Sequence, residues 1–517
     1  MRWSSRRALV LACAGGLVLS GCNAGGGSDD EGDTGGATDT AAPGAGGETD
    51  DAVTIGLVAE PASLDFTTTD GAAIPQVLLY NVYETLVKVD QATGEIVPSL
   101  ATEWDVSDDG RTYTFTLEEG VTFSNGEALT ADDVVFSIER VKSDDWTVSL
   151  KAQMDKVESV EATGDHEVVV TLAEPSNSWL YAMTTRIGAI FDENGVGDLA
   201  NSPIGTGPYT FSQWQRGTSI TLQRNEDYWG QAPYFADVTF QYFQDATALN
   251  NALLTESIDV VGTVQAPETL AEFEGGDYQI IEGTTNGEVV LSMNNDRAPF
   301  DDVQARQAVR HAIDHQTLLD TCWAGRGTLI GSMVPPTDPW YEDRTGDFEF
   351  DQDRARELLE EAGATGTEVR LRLPSLPYAV ACGTVVESML EEVGLEVTVD
   401  ELEFPAAWLE SVFTQADYEM SIISHVEPRD MVNVFGNPDY YTKYGTDEVQ
   451  ALFADADAGT PEEQQAKMAE AAALISQDAA ADFLFLLPNL IVAEPGITGL
   501  PENAVTESFD LSALARD

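Results

Sequence analysis

The sequence predicts an α/β fold in two lobes, and three observations carry it. About 465 residues follow a low-complexity N-terminal stretch, too many for one ordinary hydrophobic core, and the chain is 43% apolar, enough to bury two or three. The first part of that body reads mainly as strands with interposed helices. From Phe300 onward, helices and strands alternate, as in a second α/β lobe.

The elements follow in order. Residues 53–58 are a short β-rich run, and 112–117 alternate polar and apolar as a half-buried strand does. Thr130 is placed to cap a helix running to 141, with Asp133 favourably in its first turn. Strands are expected at 167–172, 219–222 and 237–243. Residues 302–323 read as one long helix and 351–362 as another, ended by Gly363. Strands at 368–373, 396–400 and 418–423 then alternate with a helix at 383–393. A last helix starts at Thr460-Pro461-Glu462-Glu463, where a capping Thr, a Pro in the first turn and a Glu three after the cap agree.

Ahead of the body, Arg2, Arg6 and Arg7 precede an apolar run of about 12 residues, short of the roughly 20 that span a membrane. The run ends in Leu19-Ser20-Gly21-Cys22, which resembles the bacterial lipoprotein cleavage site. That resemblance implies a signal peptide over 1–21 and acylation of Cys22 as a lipid anchor, with export by the general or the twin-arginine route left open. Residues 22–51 are Gly, Ala, Thr and acids, unable to bury a core, and read as a flexible tether with a reach of roughly 30 Å. Two cysteines remain in the body. Cys322 and Cys382, in an oxidising compartment, are expected to form a disulfide.

The formal charge of −65, with six lysines in the whole chain, excludes nucleic acid as a partner because the basic patch it needs is missing. There is no Gly-x-Ser-x-Gly, His-Glu-x-x-His, Cys-x-x-Cys or Gly-x-x-x-x-Gly-Lys motif, so no enzyme is expected. His311 and His315 are four apart on an expected helix, a spacing that can chelate a metal but reads first as a solvated face. No metal and no cofactor is predicted.

Residues 83–134 contain Tyr83-Glu84-Thr85-Leu86-Val87, Thr93-Gly94-Glu95-Ile96-Val97-Pro98, Trp104, Phe123-Ser124-Asn125-Gly126 and Thr130-Ala131-Asp132-Asp133-Val134. Gly205-Thr206-Gly207-Pro208-Tyr209, Tyr228-Trp229-Gly230 and Pro299-Phe300-Asp301-Asp302 follow. These blocks resemble the family-5 extracellular solute-binding proteins, the oligopeptide-, dipeptide- and nickel-binding components of ATP-binding cassette importers. The resemblance implies a two-lobed periplasmic-binding-protein-like fold of class II. Its first lobe would take in 52–290 and 486–517, with a subdomain inserted at 91–200, and its second lobe 294–485. It implies as partners a peptide or other small ligand held between the lobes, permease and ATPase subunits, and the membrane through the anchor. A monomer is expected.

A ligand held between lobes needs a few convergent polar groups with apolar walls. The segment Ser424-His425-Val426-Glu427-Pro428-Arg429-Asp430 leaves an apolar strand with several such groups at once. In the peptide-binding relatives an aspartate four residues before the proline pairs with the ligand's ammonium; here that position is Ser424. Glu427 or Asp430 can substitute, and the fork of Arg429 suits a carboxylate. Further candidate contacts are His425, Glu60, Asp65, Tyr80, Asn81, Trp179, Met183 and Trp408. A non-peptide solute, or a sensory or scaffolding lipoprotein of the same fold, stays open.

Overall fold

Two sheets organise the lobes, and the chain passes between them twice. In the computed structural model, residue 49 and residues 51–69, 71–148 and 151–517 are described; the expected signal peptide, Cys22 and nearly all of the tether lie outside them. The first lobe is organised on a seven-stranded sheet. Its order is Gln279–Gly283, Asn489–Ala493, Val260–Val261, Ala52–Leu57, Asp237–Tyr242, Ser219–Arg224, Tyr209–Gln215. Ala52–Leu57 lies parallel to Asp237–Tyr242, with Ile55 opposite Phe240, so the β-branched and aromatic residues of the first strand enter one core. A four-stranded antiparallel sheet from Ala101–Val106, Thr112–Leu117, Glu167–Leu172 and Val157–Gly164 is interposed in sequence. Thr130 and Asp133 form a capping box at the start of helix Ala131–Lys142 that packs on it.

The second lobe carries a five-stranded sheet in the order Glu396–Leu402, Glu368–Pro374, Met420–His425, Glu288–Met293, Ala481–Leu486. The central strands are buried along nearly their whole length, which is why they read as apolar runs. Residues 284–287 carry the chain from the first sheet to the second, and 487–488 carry it back, a few residues from the expected limits at 290 and 486. The two crossings are tied together: Leu487 N donates to Gly287 O at 2.8 Å and Thr285 Oγ1 to Leu487 O at 2.6 Å.

The long helix expected over 302–323 is two helices, Val303–Ala312 and His315–Cys322. Ile313 is extended, and Asp314 turns its carboxylate to accept from Thr317 N at 3.1 Å, capping the second helix. An Asp within an apolar-periodic run competes for backbone donors, which periodicity alone does not register. His311 and His315 thus fall on different helices. His311 meets the Glu349 carbonyl at 2.8 Å, and His315 Nε2 lies 2.9 Å from Asp482. Among the described residues no group of His, Cys, Asp and Glu is arranged to hold a metal, and no helix is long and apolar enough to cross a membrane. Cys322 and Cys382 are bonded, joining helix His315–Cys322 to helix Pro377–Val393.

Candidate functional site

Strand Met420–His425 ends opposite Glu288, the first residue of its partner strand, and Pro428 follows three residues later. The chain turns over Arg429, which sits in the left-handed region at φ 58°, and enters helix Met431–Gly436. A non-glycine residue there is held against a local energetic preference, and such positions concentrate at binding sites. Facing this turn, the first lobe offers the short helix Asn177–Ala182 and the C-terminal segment that carries Glu507. Between them lies a cavity of about 300 Å³.

Both lobes line it: Tyr181, Thr185 and Glu507 from the first, Trp340, Glu427, Arg429 and Phe453 from the second. The Arg429 guanidinium is sandwiched, its carbon 3.7 Å from the Tyr181 ring centroid and 4.9 Å from that of Trp340. Cation–π attraction holds a guanidinium in that way while leaving its N–H edge available. Asp338 lies 3.5 Å from Arg429 Nε, beyond a good hydrogen bond, and that Nε has no hydrogen-bond acceptor in the protein. Burial pushes the Asp338 carboxyl up to about 6, with Arg429 pulling the other way.

Among the described residues, no side chain gives Glu427 a hydrogen bond or ion pair. It keeps accessible surface, yet its carboxyl is surrounded as densely as an interior group and its pKa is raised, first by burial and then by Asp430. Those two facts agree because the accessible face opens onto the cavity it lines. Below it, His425 is buried, with Nδ1 3.2 Å from Asp430 Oδ2 and Nε2 2.9 Å from the Tyr441 hydroxyl. Glu288, beside His425 in strand register, is buried and its carboxyl is raised well above the ordinary range, by burial first and Asp430 second. Glu288 Oε2, Asp430 Oδ1 and Ser424 Oγ each lack a hydrogen-bond partner in the protein. Buried polar atoms are rarely left so, and three of them lie together here.

Away from that segment the cavity wall around Asp457 is hydrogen-bonded across the lobes, while Gln153, which also lines the cavity, keeps its Oε1 without a hydrogen-bond partner. Asp457, near the end of helix Asp447–Ala458, accepts from Lys156 Nζ at 2.7 Å, from Ser176 Oγ at 2.9 Å and from Ser178 N at 2.9 Å. Asn177 Nδ2 donates to the carbonyls of Ala456 and Gly459 at 3.0 and 2.7 Å. Burial would raise the Asp457 carboxyl, but the Lys156 hydrogen bond and charge outweigh it and hold the carboxyl below its usual value.

Of the residues expected from sequence, Glu427 and Arg429 line the cavity, while Ser424, His425 and Asp430 lie around or beneath it. The others do different work. Trp179 and Met183 are buried in the first-lobe core, Trp179 4.8 Å from the Tyr113 ring; the helix turns Tyr181 to the cavity instead. Trp408 is buried with its indole N–H on Ser421 Oγ. Tyr80 donates to Thr184 O at 2.6 Å. Asn81 donates to Phe509 O and accepts from Leu511 N, fixing the C-terminal segment that brings Glu507 to the cavity. Glu60 accepts from Trp214 Nε1 and Gly217 N, and Asp65 closes a turn onto Thr67 and Thr68. Sequence reasoning missed Tyr181, Trp340, Asp338, Glu288 and Glu507. A signal existed for two of them: Pro335-Pro336-Thr337-Asp338-Pro339-Trp340 is a stiff loop that presents an acid and an indole together.

A family model described as bacterial extracellular solute-binding proteins, family 5 middle, matches residues 95–448. Di/tripeptide-binding protein 3 of Pseudomonas aeruginosa is 27% identical over 380 residues, 66% of this chain and 71% of that protein. The ABC transporter substrate-binding protein CtaP of Listeria monocytogenes superposes with a TM-score of 0.81 at 22% identity, over 90% of this chain and 100% of that one. A dipeptide-binding protein from Pseudoalteromonas, solved with Met-Leu, gives 0.78 at 21% identity over the same shares, and both likenesses establish the fold.

Proposed function

The chain belongs to the bacterial extracellular solute-binding proteins of family 5, and from that premise we propose that it holds a short peptide in the cavity between its lobes. In this reading Glu427 receives the ligand's ammonium and Arg429 its carboxylate, with Tyr181, Trp340 and Phe453 as apolar walls. The protein serves as the substrate-binding component of an ATP-binding cassette importer and hands the solute to a membrane permease. It captures solute and transforms nothing.

One observation carries the proposal. A carboxylate that lines the cavity and a stacked guanidinium whose Nε lacks a hydrogen-bond acceptor stand two residues apart on one turn, facing a cavity between lobes. A zwitterion satisfies both at once, and the orphaned atoms around them gain neighbours when the cleft fills. The two crossings at 284–287 and 487–488 are where the lobes would hinge. Export with acylation at Cys22, tethering over 22–51 and a monomeric state belong to the same proposal; the mass of the processed N-terminus and the mass in solution check them.

Calorimetric titration of the processed protein with di- and tripeptides tests the reading. Heat that saturates for these and vanishes in a Glu427→Gln, Arg429→Ala variant supports it; no heat at millimolar concentration removes it. A non-peptide solute is the second reading, favoured by Ser424 standing where the peptide-binding relatives carry an acid. Saturation by a nickel chelate or an opine in place of peptides would establish that alternative.

A further inference from the structure

Two polar regions of the cavity differ in how far their groups are satisfied. Arg429 keeps its Nε without a hydrogen-bond acceptor beside Glu427, whereas Lys156, Ser178 and Asp457 also line the cavity and spend their polar atoms on one another. Lys156 Nζ meets Asp457 Oδ2 at 2.7 Å, Ser176 Oγ at 2.9 Å and Ser178 Oγ at 2.8 Å. Asp457 in turn takes the backbone N–H of Ser178, so the bridge is fastened to main chain on the opposite lobe. Opening such a wall separates an ammonium from a carboxylate that the backbone N–H of Ser178 also holds, and at 31% and 28% exposure solvent offsets part of that cost.

We infer that the Lys156 to Asp457 bridge is the end wall that sets how long a ligand the cavity admits. At about 300 Å³ the cavity is at the bottom of the range for enclosed small-ligand sites, suited to a peptide of about two or three residues. Because the bridge lines the same cavity as Glu427 and Arg429, a longer chain anchored at those two residues competes with it for space. The inference rests on the peptide reading above, and it assigns Lys156 and Asp457 a role in length selection separate from the binding of peptide ends.

The test compares the dipeptide Ser-Ala with the hexapeptide that repeats it three times, by calorimetry on the processed protein. The variants are the Lys156→Ala/Asp457→Ala double change, which leaves no unpaired charge, and Asp457→Asn, which keeps an oxygen for Ser176 and Ser178 and serves should the double variant fail to fold. Melting without ligand checks folding. The expected result is that wild type prefers the dipeptide and that the ratio of hexapeptide to dipeptide Kd falls about tenfold or more in a folded variant. A bridge that only helps closure would weaken both peptides alike and leave the ratio unchanged; that result overturns the inference and leaves the peptide reading standing. Wild type binding both peptides equally well also overturns it. Should wild type bind neither peptide, the peptide reading fails and takes this inference with it.

Discussion

Across one cleft, the contact around Asp457 and the turn from Ser424 to Asp430 treat their polar atoms in opposite ways. Asp457 accepts from Lys156, Ser176 and Ser178, and Asn177 donates twice beside it. At the turn, Ser424 Oγ, Arg429 Nε, Asp430 Oδ1 and the neighbouring Glu288 Oε2 have no hydrogen-bond partner among the described residues, Arg429 having only Asp338 at 3.5 Å. Unmet hydrogen bonds in a buried place cost stability, so a protein keeps a group of them where something else is gained. In the proposed reading, the contrast separates a contact that serves the protein's own architecture from one that meets a solute.

The largest effect expected is on the turn. Arg429→Ala should weaken binding of a dipeptide by about 2–3 kcal/mol, roughly 30- to 140-fold in Kd, while changing the melting temperature of the unliganded protein little. An unchanged Kd, by calorimetry, would make the turn as structural as the Asp457 contact and erase the comparison.

The pH response should differ in sign between the two regions. Asp338 has its folded pKa raised to about 6 from an ordinary 3.8, so its contribution to stability is fully present below 3.8 and is lost as pH rises through 6. Its side chain is 11% exposed, and the effect is on the order of 2 kcal/mol. Asp457 is lowered, so its contribution is present above 3.8 and is lost as pH falls through its folded value. Melting of Asp338→Asn against wild type from roughly pH 4 to 8 should show the variant gaining as pH rises, and Asp457→Asn should show its deficit only above about pH 4. The same slope in both variants would contradict the assignment.

Asp457→Ala should speed ligand release through weaker closure, by about 1 kcal/mol, since Lys156 and Asp457 remain 31% and 28% exposed and solvent screens the pair. Stopped-flow dissociation reads this directly. The smallest effect is at Glu288. Replacing this buried acid by Gln removes the cost of charging it, so the melting temperature at pH 8 should rise by about 1–2 °C, and by less at pH 5. A lower melting temperature at pH 8 would mean that the carboxylate is partnered after all.

Local signals made most of the framework legible. The capping boxes at Thr130 and Thr460 and the alternation of Thr112–Leu117 fix elements within a few residues, because each depends on neighbours in sequence. The break at Asp314 escaped because its side-chain cap overrides an uninterrupted apolar period. The site was legible only where one segment holds it. Glu427 and Arg429 leave a strand together, whereas Tyr181 and Glu507 reach the cavity from elements far apart in the chain. On helix Asn177–Ala182 nothing in the sequence tells whether Trp179 or Tyr181 faces the cleft; packing of Trp179 against Tyr113 and Phe115 decides it. Asp457 reads as one more acid on the surface of a very acidic chain, and only the fold sets it opposite Ser178.

The central claim is that the cleft turn holds a solute by Glu427 and Arg429. Mass spectrometry of what the purified protein releases on denaturation tests it most directly, comparing wild type with the Glu427→Gln, Arg429→Ala variant. The account expects a short peptide from wild type and none from the folded variant; the same solute recovered in equal amount from both would contradict it.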